Sequence, residues 1–300
     1  MKKVLPLIVV LFIITAVCTY CEAEELYAVA QGPTPVLNTP DFSSVFGGGD
    51  GRTLKVDKSG LIREVEFIAL AGTVFSIQDT IKKEDITIYK VTTGDYPYPT
   101  KTGYFIDKRS VKTLDYKVPD RIKKLPCREK IIQNLLSSVG SIYIWGGNYK
   151  EGIKEMLRWY PPSSDLSGQM RKKWKLEGVD CSGLLYEATD GVTPRNTSAL
   201  INYGEPVEIS GRGADEIIQQ VEPLDLIVWD GHVIIVLDKR RVIESRLDYD
   251  KTKEGNQGGV KVRSLAEVLD KTLRKKVPVD DYRDDAKGRE KFVIRRWYNT

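Results

Sequence analysis

Three hundred residues divide, on a soft length prior, into about two domains, each large enough to bury a core. A chain that is 41% hydrophobic and 29% charged, with 25 Gly and 14 Pro, is not collagenous, low-complexity or wholly disordered. A net charge of +4 falls short of the field a dedicated nucleic-acid binder needs, and a single histidine excludes a multi-histidine zinc site, so any imidazole chemistry passes through His232.

Lys2 and Lys3 precede an apolar run from Val4 to Val17 that is too short to span a bilayer with ease and reads as a secretory leader. Small residues around Cys21-Glu22-Ala23 place cleavage after Ala23, so the expected mature chain begins at Glu24, is exported, and keeps no stable membrane insertion. Thr15-Ala16-Val17 is a poor approach for acylation of Cys18, so lipoprotein anchoring is not expected. Removing residues 1–23 leaves Cys127 and Cys181, which is not a disulfide framework.

Residues 24–114 read as a small β domain. Phe75 and Ile77, then Ile86 to Val91, then Gly103-Tyr104-Phe105-Ile106 are strand-like runs separated by Gly, Asp and Pro, and several short strands without a helical period predict a barrel. Thr92-Thr93-Gly94-Asp95-Tyr96 followed by Gly103-Tyr104-Phe105-Ile106 resembles bacterial SH3 domains. Phe46-Gly47-Gly48-Gly49-Asp50-Gly51 lacks the Gly-Lys-Ser/Thr ending of a phosphate loop and is read as a turn. Residues 115–126, with two prolines and a basic run, form the expected linker.

From residue 127 onward the pattern changes. Ile131, Ile132, Leu135, Leu136 and Val139 make the apolar face of a helix ended by Gly140. A second helix is predicted from Cys181 to Asp190-Gly191, and a third, capped by Asn196 and Thr197, up to Tyr203-Gly204. Three strands follow at Leu226 to Trp229, Val233 to Leu237 and Val242 to Ser245, giving an α+β domain over 127–300.

A nucleophilic cysteine works as thiolate, a form favoured by a helix N-terminus beside an imidazole. Cys181 has that placement: Asp180 before it can cap the helix, and Ser182-Gly183 after it are small enough for a backbone or substrate to come close. A buried, inert thiol is the alternative, and it is the reading given to Cys127. His232 follows the turn pair Asp230-Gly231 and sits at a strand start.

Tyr143-Ile144-Trp145-Gly146-Gly147-Asn148, Asp180-Cys181-Ser182-Gly183-Leu184, Pro223-Leu224-Asp225-Leu226-Ile227 and Gly231-His232-Val233 with Val242-Ile243-Glu244 occur in the order of the NlpC/P60 family, and the region resembles those papain-like cysteine peptidases of bacterial cell-wall peptides. The resemblance implies helices packed on an antiparallel sheet, Cys181 as nucleophile and His232 as the base that later protonates the leaving amine. It implies an oxyanion held by the Cys181 N–H and the Tyr143 hydroxyl. Asp180 and Ser182 either receive the free amine of a trimmed stem peptide or only cap the helix. Arg195 and Asp225 match family positions, which an internal salt bridge explains equally well. The implied activity is hydrolysis of an amide or isopeptide bond in peptidoglycan stem peptides, at D-γ-glutamyl-diaminopimelate, with no metal or organic cofactor. A non-catalytic wall-binding protein and a thiol acyltransferase or amidase on the same fold remain open.

Two features depart from the family. Its third polar residue, usually histidine, stands 12 positions after the base, and here that position is Glu244, whose carboxylate can accept the Nδ1 proton of His232. A two-residue turn after Leu237 would put Ser245 on the face of His232; a three-residue turn, Asp238 to Arg240, puts Glu244 there. The other departure is the long segment between Asn148 and Asp180, containing Trp159-Tyr160-Pro161-Pro162 and Arg171-Lys172-Lys173-Trp174-Lys175, which is expected to border the cleft.

Overall fold

The computed structural model describes residues 25–83, 85–247 and 258–298, so the expected leader lies outside the described residues. The chain is a mixed α+β protein built on antiparallel sheets. The first sheet takes its strands from the alternating, β-branched runs of the N-terminal part: β1 (Tyr27–Ala30), β2 (Thr34–Leu37), β3 (Val65–Ala69), β4 (Val74–Lys83), β5 (Ile86–Thr92), β6 (Tyr104–Asp107) and β7 (Val111–Leu114). They pair in the order β3-β2-β6-β5-β4-β1-β7. Among the described residues the two end strands do not pair with each other, so the hydrogen-bonded path that was expected to form a barrel stays open.

Both faces of this sheet are covered. Phe67, Phe75, Tyr89, Val91, Tyr104 and Ile106 form one core. Their strand neighbours Ile68, Ile88 and Phe105 face the other way, as the two-residue period dictates, and pack with Phe42, Phe46, Tyr160 and Trp174. Tyr160 and Trp174 belong to the long segment after Asn148, which forms a turn of helix at Met156–Trp159. The Tyr160 hydroxyl donates to Asp107 at 2.5 Å, and the Trp174 indole N–H donates to the Tyr160 carbonyl at 2.8 Å. The segment expected to border the cleft is thus mainly core material that fastens the first sheet to the rest of the chain, because its large aromatic residues gain more from burial than its basic run does from a ligand.

After a one-turn helix at Phe42–Val45, the helix labelled α1 spans Arg128–Ser137; Ile131 and Leu135 are buried, while Leu136 and Val139 flank that face and are exposed. Next come α2 (Gly168–Trp174), α3 (Cys181–Ala188), α4 (Thr197–Leu200), which is one turn and stops short of Tyr203, and α5 (Ala214–Gln220). The second sheet contains β8 (Glu205–Pro206), β9 (Leu226–Trp229), β10 (His232–Val236), β11 (Arg241–Arg246), β12 (Gly259–Ser264), β13 (Val277–Pro278) and β14 (Lys291–Arg296), and α6 spans Leu265–Leu273. The order is β8-β14-β9-β10-β11-β12, with β13 parallel to β14. One face, with Val228, Val233, Ile235 and Ile243, packs on α1 and α3. The opposite face, with Ile227, Ile234, Val236 and Val242, packs on α5 and α6. Burial on both faces explains why these strands read as continuous apolar runs. Among the described residues no helix is long and apolar enough to cross a membrane.

Candidate active site

Asp180 starts α3: its Oδ1 accepts the Gly183 N–H at 2.7 Å, which satisfies one of the free donors of the first turn. Gly183 lets that turn lie directly against the Gly147 carbonyl, where a Cβ would collide with the oxygen. Cys181, 7% exposed, is the first residue of the helix, and its Sγ lies 3.9 Å from the Gly231 carbonyl oxygen.

β10 opens at His232, opposite Trp229 across the Asp230-Gly231 turn. Gly231 has φ +87°, in the left-handed region that suits glycine. The turn is pinned from outside, because the Gly231 N–H donates to Thr197 Oγ1 at 3.2 Å and the Asp230 N–H donates to the Tyr282 hydroxyl at 3.1 Å. Beyond it, Ile235 pairs with Ile243 and Val236 with Val242, so three residues, Asp238 to Arg240, close the next hairpin. This register puts Glu244 on the face of His232 and turns Ser245 to the other face, where its hydroxyl donates to the Val179 carbonyl at 2.7 Å.

His232 Nε2 lies 2.7 Å from Glu244 Oε2. The nitrogen differs from the Nδ1 expected above: Glu244 is a diagonal neighbour on the adjacent strand and meets the Nε2 end of the ring. Burial disfavours the imidazolium, but the neighbouring Cys181 sulfur and the Glu244 carboxylate, which favour it, outweigh burial and raise the His232 pKa to about 9. Glu244 is 1% exposed. Burial pushes its pKa up, and the hydrogen bond and charge of His232, followed by Arg246 and Arg263, bring it below the usual carboxylate value. Arg263 Nε stands 3.1 Å from Oε1, off the line of a hydrogen bond, and Arg246 Nη1 is 4.0 Å from Oε2.

Behind the nucleophile, Arg195 is 2% exposed and binds Asp180 through two nitrogens, Nη1 to Oδ1 at 3.0 Å and Nη2 to Oδ2 at 2.7 Å. Its Nη1 also donates to Ser182 Oγ at 2.9 Å, and Gly146 N–H adds a bond to Asp180 Oδ2 at 3.1 Å. Both oxygens of Asp180 and the Ser182 hydroxyl are therefore engaged inside the protein. The second matching residue, Asp225, pairs with Arg296 instead, at 3.0 and 2.8 Å.

The same network reaches the first sheet. Arg195 Nε donates to Asn148 Oδ1 at 3.1 Å, and the Asn148 amide pairs with both backbone groups of Ile68, accepting at 2.9 Å and donating at 2.8 Å as a neighbouring strand would. Residues of the first sheet consequently line the cleft, which has a volume of about 330 Å³ and includes Glu66 and Tyr96 beside Tyr143, Trp145, Cys181 and Asn196. Glu66 is half-buried and accepts from Asn38 Nδ2 at 2.8 Å and from the Tyr96 hydroxyl at 3.2 Å. The Tyr143 hydroxyl has no hydrogen-bond partner among the described residues. Burial, then the charges of Asp180 and Cys181, push its pKa up, so it stays a donor.

Glu66 and Tyr96 were not found by the sequence reading. The cluster of Tyr96, Tyr98 and Tyr104 among prolines was visible, but the approach of β3 to Cys181 depends on the Asn148 contact, which no local pattern announces. Among the described residues no group of three or more His, Cys, Asp and Glu side chains is placed to hold a metal ion.

No protein-family model and no curated protein matches this chain. Among solved structures it is similar to an NlpC/P60 family protein from Bacillus cereus, at 16% identity and a TM-score of 0.32, covering 91% of this chain and 64% of that one. It is also similar to NlpC1 from Trichomonas vaginalis, at 13% identity and a TM-score of 0.33 over 97% and 99% of the two chains. For NlpC2 from the same organism the values are 12% and 0.28, over 92% and 74%. The likeness to NlpC/P60 structures is distant in both sequence and geometry.

Proposed function

We propose that this chain is an exported cysteine peptidase that hydrolyses an amide bond in peptidoglycan stem peptides, at the junction between D-γ-glutamyl and diaminopimelate. The observation that carries the reading is Cys181 at the start of α3, on the carbonyl of Gly231, the residue before a histidine that a buried carboxylate holds at 2.7 Å. Sulfur attacks the carbonyl carbon as thiolate, with the proton held on His232 as imidazolium, and the oxyanion is met by the Cys181 N–H and the Tyr143 hydroxyl. The C–N bond then breaks as the imidazolium protonates the leaving amine. Water, deprotonated by His232, hydrolyses the thioester and restores the thiol.

The substrate class comes from the motif resemblance, and the cleft fits it. Asp180 is neutralised by Arg195, so Glu66 is the carboxylate left to receive the free ammonium of a trimmed peptide, with Tyr96 and Asn38 fixing its oxygens. In this reading the first sheet is an SH3-like domain over 24–114 that supplies one wall of the site, 115–126 links it to the catalytic domain, and 1–23 is a leader removed on export. Sequencing the native protein's N-terminus is expected to begin at Glu24; a retained Met1 contradicts export by this route.

Mass analysis of muropeptides incubated with the protein tests the function. Hydrolysis gives fragments that together gain one water, with none formed by Cys181→Ala. Products joined to a second amine would make the chain a transferase, and unchanged peptides retained on the protein would make it a binding module.

A further inference from the structure

Glu244 brings a full negative charge to a position that is almost completely buried, and a buried charge has to be matched. One of its oxygens, Oε2, meets His232 at 2.7 Å. The other, Oε1, is turned toward β12, where Arg263 Nε stands at 3.1 Å. The register explains that meeting. Lys261 lies directly opposite Glu244 and Arg263 opposite Val242, so Arg263 is the diagonal neighbour of Glu244 on the same face of the sheet. Its side chain is 29% exposed, which leaves its charge only partly screened. The contact lies off the line of a hydrogen bond, so the arginine acts on Glu244 chiefly through its charge.

The other charges around this pair stand further off or are already matched. Arg246, two residues along β11, comes only to 4.0 Å from Oε2 and is half exposed. Helices α5 and α6 meet the same face with apolar side chains. Beside the imidazole, Trp229 lies 5.1 Å away between ring centres and carries Lys276 over its ring, and that lysine is paired with Glu290. Asp230 is exposed in the turn before His232, and behind Cys181 the charges of Asp180 and Arg195 satisfy each other.

We propose that Arg263 is a positioning residue of this site: it takes Oε1 of Glu244, which turns Oε2 to His232 and leaves the imidazole facing a shared negative charge instead of a whole one. The inference deepens the peptidase reading, by naming what regulates its general acid, and rests on that reading only for the step concerned. In that step the imidazolium gives its proton to the leaving amine, and a carboxylate with no second cation would hold the proton more tightly and make the acid weaker. The order along the sheet is then cation, carboxylate, imidazolium, with Arg263 acting through Glu244 and touching neither the thiol nor the peptide.

NMR titration of the single histidine tests this without a substrate. Arg263→Gln is expected to move the His232 midpoint upward by about half a pH unit, and Arg263→Lys to return it toward the wild type. Arg263→Met keeps the covered stem but not the charge and carries the same expectation as Arg263→Gln, so a loss of folding in one neutral variant does not decide the outcome. A purely structural arginine would release the carboxylate from the ring and move the midpoint down; a fall, or no change, in the folded neutral variants overturns the proposal. In the Glu244→Gln background the same substitution is expected to shift the midpoint by less than half as much, and an undiminished shift there overturns the action through Glu244. The alkaline limb of kcat/KM should follow the midpoint while KM stays constant. Midpoints that move as expected in a protein that cleaves no muropeptide keep Arg263 and remove the peptidase, whereas cleavage with unmoved midpoints removes Arg263 and keeps the peptidase.

Discussion

The two walls of the cleft differ in what their polar groups are doing. On the side of Cys181, His232 and Glu244, nearly every donor and acceptor is already bonded within the protein: Glu244 to His232, Asp180 to Arg195, and the turn before His232 to Thr197 and Tyr282. On the side contributed by the first sheet, Glu66 is partly exposed and keeps binding capacity. Groups that must act on a bond are held beforehand, so that little reorganisation is needed in the transition state, whereas groups that must read a ligand keep unfilled positions. The difference predicts that substitutions on the first wall lower kcat and those on the second raise KM.

The largest effect is expected at Cys181. Cys181→Ala should lower kcat by at least ~10³-fold while binding substrate and keeping its melting temperature, since the helix start depends on Asp180 more than on the thiol. Steady-state kinetics beside peptide binding measures both, and wild-type turnover by this variant would remove the thiol mechanism.

Glu244→Gln comes next, with kcat reduced ~10- to 10⁴-fold at nearly constant KM, the upper end being the cost of the corresponding acid in serine proteases. His232 is the only histidine, so its ring protons can be followed by NMR without ambiguity. They should titrate near pH 9 in the wild type and lower in the variant. Because the folded pKa is raised above the ordinary ~6.5, the stability this group contributes is complete below about pH 6.5 and is lost as the pH rises through about 9. Glu244→Gln should flatten that slope in denaturant melts. A fully active variant with an unmoved histidine pKa would take Glu244 out of the mechanism.

A substitution between the walls sharpens the comparison in stability. Trp174→Ala empties a fully buried site shared by the first sheet and the segment after Asn148, and should cost about 3–5 kcal/mol in urea unfolding. Less than ~1 kcal/mol would mean that the first sheet is not fastened there. Glu66→Gln should do least, raising KM about tenfold for a free-amine peptide with kcat little altered. A loss confined to kcat would place Glu66 on the chemical side.

The unequal legibility of the two walls follows from how each is assembled. Cys181, His232 and Glu244 sit at a helix start, at a strand start after Asp-Gly, and at a register position that turn length decides; each is a local feature, and only turn length left the choice between Glu244 and Ser245 open. The same local grammar marks β5, β6, α1 and the start of α3. It does not show β14 inserting between β8 and β9, or β3 arriving at Asn148, because those pairings join segments far apart in the chain and are chosen by the burial of whole faces. The segment from 149 to 179 was expected at the cleft because it lies between two site motifs, and its aromatic residues are instead core shared with the first sheet.

The most direct measurement is hydrolysis of L-alanyl-γ-D-glutamyl-diaminopimelate and of its N-acetylated form, followed by mass spectrometry for wild type, Cys181→Ala and Glu66→Gln. The account predicts that the wild type releases diaminopimelate from the free-amine peptide and much more slowly from the acetylated one, that Glu66→Gln narrows the difference, and that Cys181→Ala releases none. Equal cleavage of both peptides by the wild type, or release by Cys181→Ala, would contradict the division of the cleft into a chemical wall and a reading wall.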